Sequence, residues 1–214
     1  MKQSTTHHKV YDWAILLQSL RSHHQLQVTL LTKSCNIQKS YLPLSSRTDT
    51  IQSIKPASLL HVLLHMRSEG FIHIHGVSES HPFLSIQHNL DRFSRFAFWA
   101  ESLILSMNSG DDNHAFIFMQ SLLHWLNIKS IPPVHLDSVF LYYFLLINGS
   151  LPETLHILPS FAHLNSLSIT DLQQYLRILA DNRQLYHSLS HLYQEYMPMM
   201  PKSFHQLRIY DSLA

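Results

Sequence analysis

The sequence predicts an α+β fold, in which a β-rich N-terminal third precedes a helical remainder. Up to about residue 80, short apolar runs alternate with polar breaks. After Pro82 the apolar spacing changes from every second residue toward the 3.6-residue period of a helix. Of the 214 residues, 45% are hydrophobic and 14% charged, a composition that buries a core and excludes an intrinsically disordered protein. We expect two domains, residues 1–80 and residues 81–214.

Five apolar runs of the first part have the length and the bounding polar residues of strands. A short polar connection that ends in Gly70 joins the last two runs, as in a hairpin. A longer break, residues 44–57, separates the third run from the fourth. Five short strands with one long break predict a small closed or partly open barrel. The predicted strands are Trp13–Leu20, Gln25–Thr32, Ile37–Leu44, Ser58–Met66 and Gly70–Val77.

The second part shows helical periodicity interrupted by Pro, Gly and Asn residues. The first of its helices carries apolar residues at i, i+3, i+4 and i+7, typical of one buried face. The segment His135–Ile147 is apolar on nearly every side, so we expect it to be buried. The predicted helices are Phe93–Met107, His114–Leu126, His135–Ile147, Asp171–Ala180, Arg183–Met197 and Ser203–Ser212.

The composition also excludes several classes of enzyme. The chain has 4 Gly, and it contains neither a GxGxxG nor a GxxxxGK[ST] motif, which excludes the usual nucleotide-binding enzymes. Its single cysteine, Cys35, cannot form an internal disulfide or a Cys-based zinc or iron–sulfur site. No G-x-S-x-G elbow is present, and the helix dipole explains the acidic pair Asp111–Asp112. We expect no enzymatic activity and no cofactor.

Histidine is unusually frequent, with 18 residues in the chain. The helical pair His187 and His191 has the i, i+4 spacing that can chelate zinc, but no Glu lies between them and a third ligand is missing. Residues four apart on a strand, such as His61 and His65, are about 13 Å apart and cannot share an ion. We therefore expect surface histidines and no metal site, and a zinc-dependent hydrolase stays as an alternative.

Nothing in the sequence predicts insertion into a membrane. The N-terminal ten residues are polar, so we expect no signal peptide. The longest apolar run, Val139–Ile147, is about half of the roughly 20 residues that a membrane span requires. A cytoplasmic protein is the expectation.

The charge of the chain is unevenly distributed. Residues 1–80 contain eight Lys or Arg and four Asp or Glu, a net charge of +4, whereas the remainder has a net charge of −3. Cations and aromatic rings on the loops of a small barrel are typical of nucleic-acid binding. Tyr41 and Phe71 are candidate stacking platforms. The candidate DNA-binding residues are Arg21, Lys33, Lys39, Arg47, Lys55 and Arg67.

Several short runs stand in one order along the chain, among them Phe98–Leu103 and Pro201–Leu207. Together they resemble the RecO family of bacterial recombination-mediator proteins. Phe98–Leu103 resembles the family's "YxNELL" helix, and Pro201–Leu207 resembles its "LKSRxFLRQL" ending. The Cys-rich zinc segment of many relatives is absent from residues 148–169, and the basic "KGAR" stretch is reduced to Lys39 and Arg47. The other matching stretches are Trp13–Ser19, Val28–Thr32, Ile54–Pro56, Leu59–Leu64, Gly70–Ser80 and Phe140–Gly149 followed by Leu151–Pro152.

The resemblance implies an N-terminal OB-fold-like five-stranded β-barrel followed by an α-helical domain. It implies a DNA repair and recombination mediator that binds single- and double-stranded DNA without sequence specificity and anneals single strands. The implied partners are the acidic tail of single-stranded-DNA-binding protein and RecR, with which it helps to load recombinase in a RecFOR-type pathway near the bacterial nucleoid. By position, Lys39, Arg47 and Lys55 would face DNA, and Lys202 and Arg208 would belong to the C-terminal motif. The alternative is a protein-interaction module with the same fold that has lost most DNA binding.

Overall fold

Contacts divide the chain into two compact units. Unit 1 comprises Met1–Phe83 with Asn108–Phe116, and unit 2 comprises Leu84–Met107 with Ile117–Ala214. The computed structural model describes residues 8–21, 25–34, 36–43, 54–66, 72–106, 114–128, 130–131, 133–155, 170–171, 174–175, 183–197 and 199–203. The prediction of domains at 1–80 and 81–214 stays a prediction.

Unit 1 contains a five-stranded antiparallel sheet, which confirms the five strands and the α+β class. The strand order is β3-β2-β1-β4-β5, so β1 lies in the middle and pairs with both β2 and β4. β1 begins five residues before the predicted strand, and β5 ends five residues after it. The strands are β1 His8–Arg21, β2 Gln25–Thr32, β3 Asn36–Pro43, β4 Ser58–Met66 and β5 Ile72–Pro82.

One face of this sheet forms the core of unit 1. An irregularity in β1 between Leu16 and Gln18 and two more in the β4–β5 pair bend the sheet. The two edge strands consequently come together, and the backbone N–H of Ile74 on β5 donates to Ser40 Oγ on β3 at 3.1 Å. The described part of the sheet is open, since no backbone ladder joins β3 to β5. The core residues are Ala14, Leu16, Leu26, Val28, Leu30, Ile54, Leu60, Val62, Leu64 and Ile74.

Unit 2 is helical, and its central helix is buried as the apolar pattern predicts. Within the helix over 133–147, the side chains of residues 136–145 are all buried. Most of the predicted helices Asp171–Ala180 and Ser203–Ser212 lies outside the described residues. The helices are α1 Leu84–Gln87, α2 Leu90–Ser106, α3 His114–Asn127, α4 Pro133–Ile147 and α5 Arg183–Tyr196, with a 3-10 turn at Glu153–Leu155.

Two buried arginines of α2 hold unit 2 together. The guanidinium of Arg92 donates to the carbonyl oxygens of Leu126, Ile128 and Ile131, which satisfies acceptors at and just after the end of α3. Arg95 forms an ion pair with Asp137 on α4, and both side chains are almost fully buried. These two cations are structural, a role that the charge distribution of the sequence does not show.

Within the described part of the chain, no helix has the length and apolar character needed to cross a membrane.

Candidate nucleic-acid interface

Four of the six predicted DNA-binding residues lie in the described part of unit 1, and all four are exposed. Arg21 ends β1, Lys33 lies in the turn after β2, and Lys55 precedes β4. Lys39 lies within β3, with four residues of the strand after it, and so is carried by a strand and not by a loop. Arg47, Arg67 and the candidate stacking residue Phe71 lie outside the described residues.

The register of the sheet places the exposed residues Lys39 and Tyr41 on one face, opposite the core. Lys39 pairs with Thr29, which pairs with Gln18, and Tyr41 pairs with Gln27, which pairs with Leu20. Directly paired residues share a face of a sheet, so these two rows are adjacent on it. Tyr41 and Leu20 are 53% and 54% exposed, respectively. A cation and an aromatic ring therefore lie side by side on the outer face of β3.

Arg21 and Lys55 lie toward the same end of β1. The backbone N–H of Ala57 donates to the carbonyl oxygen of Leu16 at 3.1 Å, which holds the segment that contains Lys55 against the second half of β1. Arg21 is the last residue of that half, and it pairs with the core residue Leu26, so it lies on the face opposite Lys39 and Tyr41. We name Lys39 and Tyr41 the basic surface.

Lys33 lies at the opposite end, because its backbone N–H donates to the carbonyl oxygen of Trp13 at 2.9 Å. Buried Asp12 fixes this turn: one carboxylate oxygen accepts from the Trp13 N–H at 2.8 Å, and the other accepts from the N–H and hydroxyl of Ser34 at 3.0 and 2.6 Å. Lys33 is thus presented next to Trp13 by an ordered turn, away from the basic surface.

A second exposed surface, which the sequence analysis did not identify, lies beside Lys33. Four rings, which we name the aromatic strip, follow one another across β1, β4 and β5. Tyr11 stacks on His61 with ring centroids 5.4 Å apart, and Trp13 lies 4.9 Å from His61 and 5.8 Å from His81. The available signal was the alternation of Lys9, Tyr11 and Trp13, but the predicted strand began at Trp13 and left the first two outside.

Hydrogen bonds orient the imidazoles of the strip. Ser78 Oγ lies 3.1 Å from the carbonyl oxygen of His61 and 2.8 Å from His61 Nδ1. The hydroxyl has one proton, which it donates to the carbonyl, so it accepts from Nδ1–H. His81 Nε2 lies 3.3 Å from a carboxylate oxygen of Glu79. Among the described residues, no group of three or more His, Cys, Asp or Glu side chains could hold a metal ion.

No family model matches the chain, and no curated protein matches it either.

Proposed function

We propose that this chain is a non-enzymatic DNA-binding protein of the recombination-mediator type. In this role it binds DNA without sequence specificity, anneals single strands and helps to load recombinase with RecR and single-stranded-DNA-binding protein. The observation that carries the proposal is that Lys39 and Tyr41, both exposed, are neighbours on one face of β3. A lysine that reaches phosphates beside a ring on which bases stack is the typical combination of single-strand binding proteins.

The curvature of the sheet supports an OB-like barrel in this proposal. In an OB fold five antiparallel strands close into a partly open barrel, and the face formed by strands 2 and 3 binds oligonucleotides. Here β1 pairs with β2 and β4, and a hydrogen bond from the Ile74 N–H to Ser40 Oγ links the edge strands β5 and β3. Lys39 and Tyr41 lie on β3, on the face away from the core.

A contact within unit 2 also supports the resemblance on which the proposal draws. Glu101 lies in the stretch that resembles the "YxNELL" helix, and Ser203 lies in the stretch that resembles the C-terminal ending. The N–H and the hydroxyl of Ser203 both donate to a carboxylate oxygen of Glu101, at 3.1 and 2.7 Å. Two of the matching stretches, far apart in the sequence, therefore contact each other.

The proposed binding depends on salt, because each neutralised phosphate releases counterions. For single strands, log K changes with log salt concentration by about −0.7 per phosphate contact, so one contact from each of the exposed cations Arg21, Lys39 and Lys55 predicts a slope of about −2. Stacking on Tyr41 adds about 1–3 kcal/mol with little preference among bases. Such a surface gives moderate affinity without sequence readout.

The test is fluorescence anisotropy with a labelled single-stranded oligonucleotide over a series of salt concentrations. Lys39→Gln should lower the salt slope by about 0.7. Lys202→Gln removes the same charge from an exposed position in unit 2 and should leave the slope unchanged. Tyr41→Ala should weaken binding about 5-fold or more, whereas Tyr41→Phe should bind as the wild type does.

Absence of binding even at low salt would contradict the DNA-binding proposal. In that case, capture by single-stranded-DNA-binding protein that requires its acidic tail would favour the protein-interaction module. Stoichiometric zinc in the purified protein would instead favour the hydrolase.

A further inference from the structure

We infer that the aromatic strip is a second binding site for unpaired nucleobases, separate from the basic surface. This inference rests on the proposed function, since it adds a second contact for the same class of ligand. The four rings of the aromatic strip are Tyr11, Trp13, His61 and His81.

The exposed end of the strip has the geometry of a stacking platform. Tyr11 is 61% exposed although one side of its ring is stacked on His61, with an angle of 19° between the two planes. The exposed side of the Tyr11 ring is therefore open to a further planar group. A base placed there would extend the row that already runs from Tyr11 through His61 to Trp13.

The rings beneath that open face are held in position before any ligand arrives. Ser78 accepts from His61 Nδ1–H at 2.8 Å and donates to the His61 carbonyl, so the imidazole is fixed by its neighbour on β5. Trp13 contacts both His61 and His81. Because the platform is already ordered, little side-chain entropy is lost when a base stacks on it.

Charges around the strip favour a nucleic acid over an uncharged aromatic ligand. Lys9 is exposed and precedes Tyr11 by two residues on the same strand, so both lie on one face. At the other side, exposed Lys33 is hydrogen-bonded through its backbone to Trp13. At His81 the strip also carries a negative charge, since a carboxylate oxygen of Glu79 lies 3.3 Å from His81 Nε2. Two lysines beside a row of rings match the phosphates and bases of a single strand.

The strip and the basic surface are distinct sites on one sheet, since the strip lies on β1, β4 and β5 and the basic surface lies on β3. Between them the side chains of Ile15 and Leu17 on β1 are buried. The five residue-to-residue steps from Trp13 to Gln18 span about 16 Å along an extended strand. One sheet can therefore hold two segments of single strand at once, which is what an annealing protein must do with complementary strands.

Tryptophan fluorescence tests the strip directly. Trp99 and Trp125 are buried, whereas Trp13 is half-buried, so a ligand that stacks on the strip changes mainly the emission of Trp13. We expect an oligothymidine to quench this emission and an abasic strand of equal length, with the same phosphates, to leave it nearly unchanged. Equal quenching by the two strands would overturn the inference, because charge alone would then explain it.

Three variants separate stacking from folding. Tyr11→Ala should weaken binding of the oligothymidine about 5- to 150-fold, and Tyr11→Phe, which keeps the ring, should bind as the wild type does. Val10→Ala changes the neighbouring residue of the same strand and should have little effect. If anisotropy shows DNA binding that depends on Lys39 and Tyr41 while Tyr11→Ala binds normally and Trp13 is not quenched, the inference fails and the proposed function stands. If no DNA binds at all, both fail.

Discussion

The ion pair between Arg95 and Asp137 predicts a large loss of stability when the carboxylate is removed. In Asp137→Ala, the guanidinium of Arg95 loses its buried partner, and the indole Nε1–H of Trp99 loses the carboxylate oxygen that it reaches at 3.1 Å. Arg95 keeps Asp91, whose carboxylate lies 3.1 Å from Arg95 Nε, but that side chain is 39% exposed and is a weaker partner.

The expected loss in the free energy of unfolding is about 3–5 kcal/mol. Breaking a buried ion pair by removing one partner costs about 3–5 kcal/mol, because the remaining charge stays buried. Because Arg95 keeps Asp91 as a partner, the loss is smaller than for a fully unpaired charge. The Trp99 N–H left without an acceptor adds about 1–3 kcal/mol to the loss. For a protein of this size, each kcal/mol lowers the melting temperature by about 2–4 °C, so Asp137→Ala should melt about 10 °C lower.

Urea denaturation followed by far-UV circular dichroism measures this loss as a fall in the midpoint at constant slope. Asp137→Asn keeps an oxygen for Trp99 and should lose less than Asp137→Ala. Asp91→Ala, which removes the exposed partner, should lose at most about 1 kcal/mol. A loss below 1 kcal/mol for Asp137→Ala would refute the reasoning, since Arg95 would then tolerate burial without this carboxylate.

A further prediction concerns the pH dependence of stability. Burial by itself raises the pKa of Glu101, but the hydrogen bonds from Ser203 and the charge of Lys202 outweigh it and hold this pKa below its ordinary value. The stabilisation by the ionised carboxylate is therefore complete at neutral pH and is lost as the pH falls through the lowered pKa. In thermal melts from pH 7 to pH 3, the melting temperature of Glu101→Gln should fall less than that of the wild type. Parallel curves of melting temperature against pH would contradict the assignment.

The strands and helices follow from local patterns, which explains why their existence and order could be predicted. Alternation of apolar residues identifies β2 and β4 to the residue, because each strand has one face in the core. The same reasoning misses the first residues of β1, where Lys9, Val10 and Tyr11 are all exposed and no apolar alternation marks the strand. The aromatic strip was missed for this reason, together with the separation of its rings over three strands.

Local patterns predict the α+β class, the number of strands, the burial of α4 and the concentration of positive charge in the first 80 residues. These features depend on composition and on the period of apolar residues, which are local properties of the chain. Long-range contacts, in contrast, bring Leu20 to the face that carries Lys39 and Tyr41 and place His61 against Trp13. They also bury Arg92 and Arg95. Strand register and helix packing set these relations, and both depend on partners that are distant in the chain.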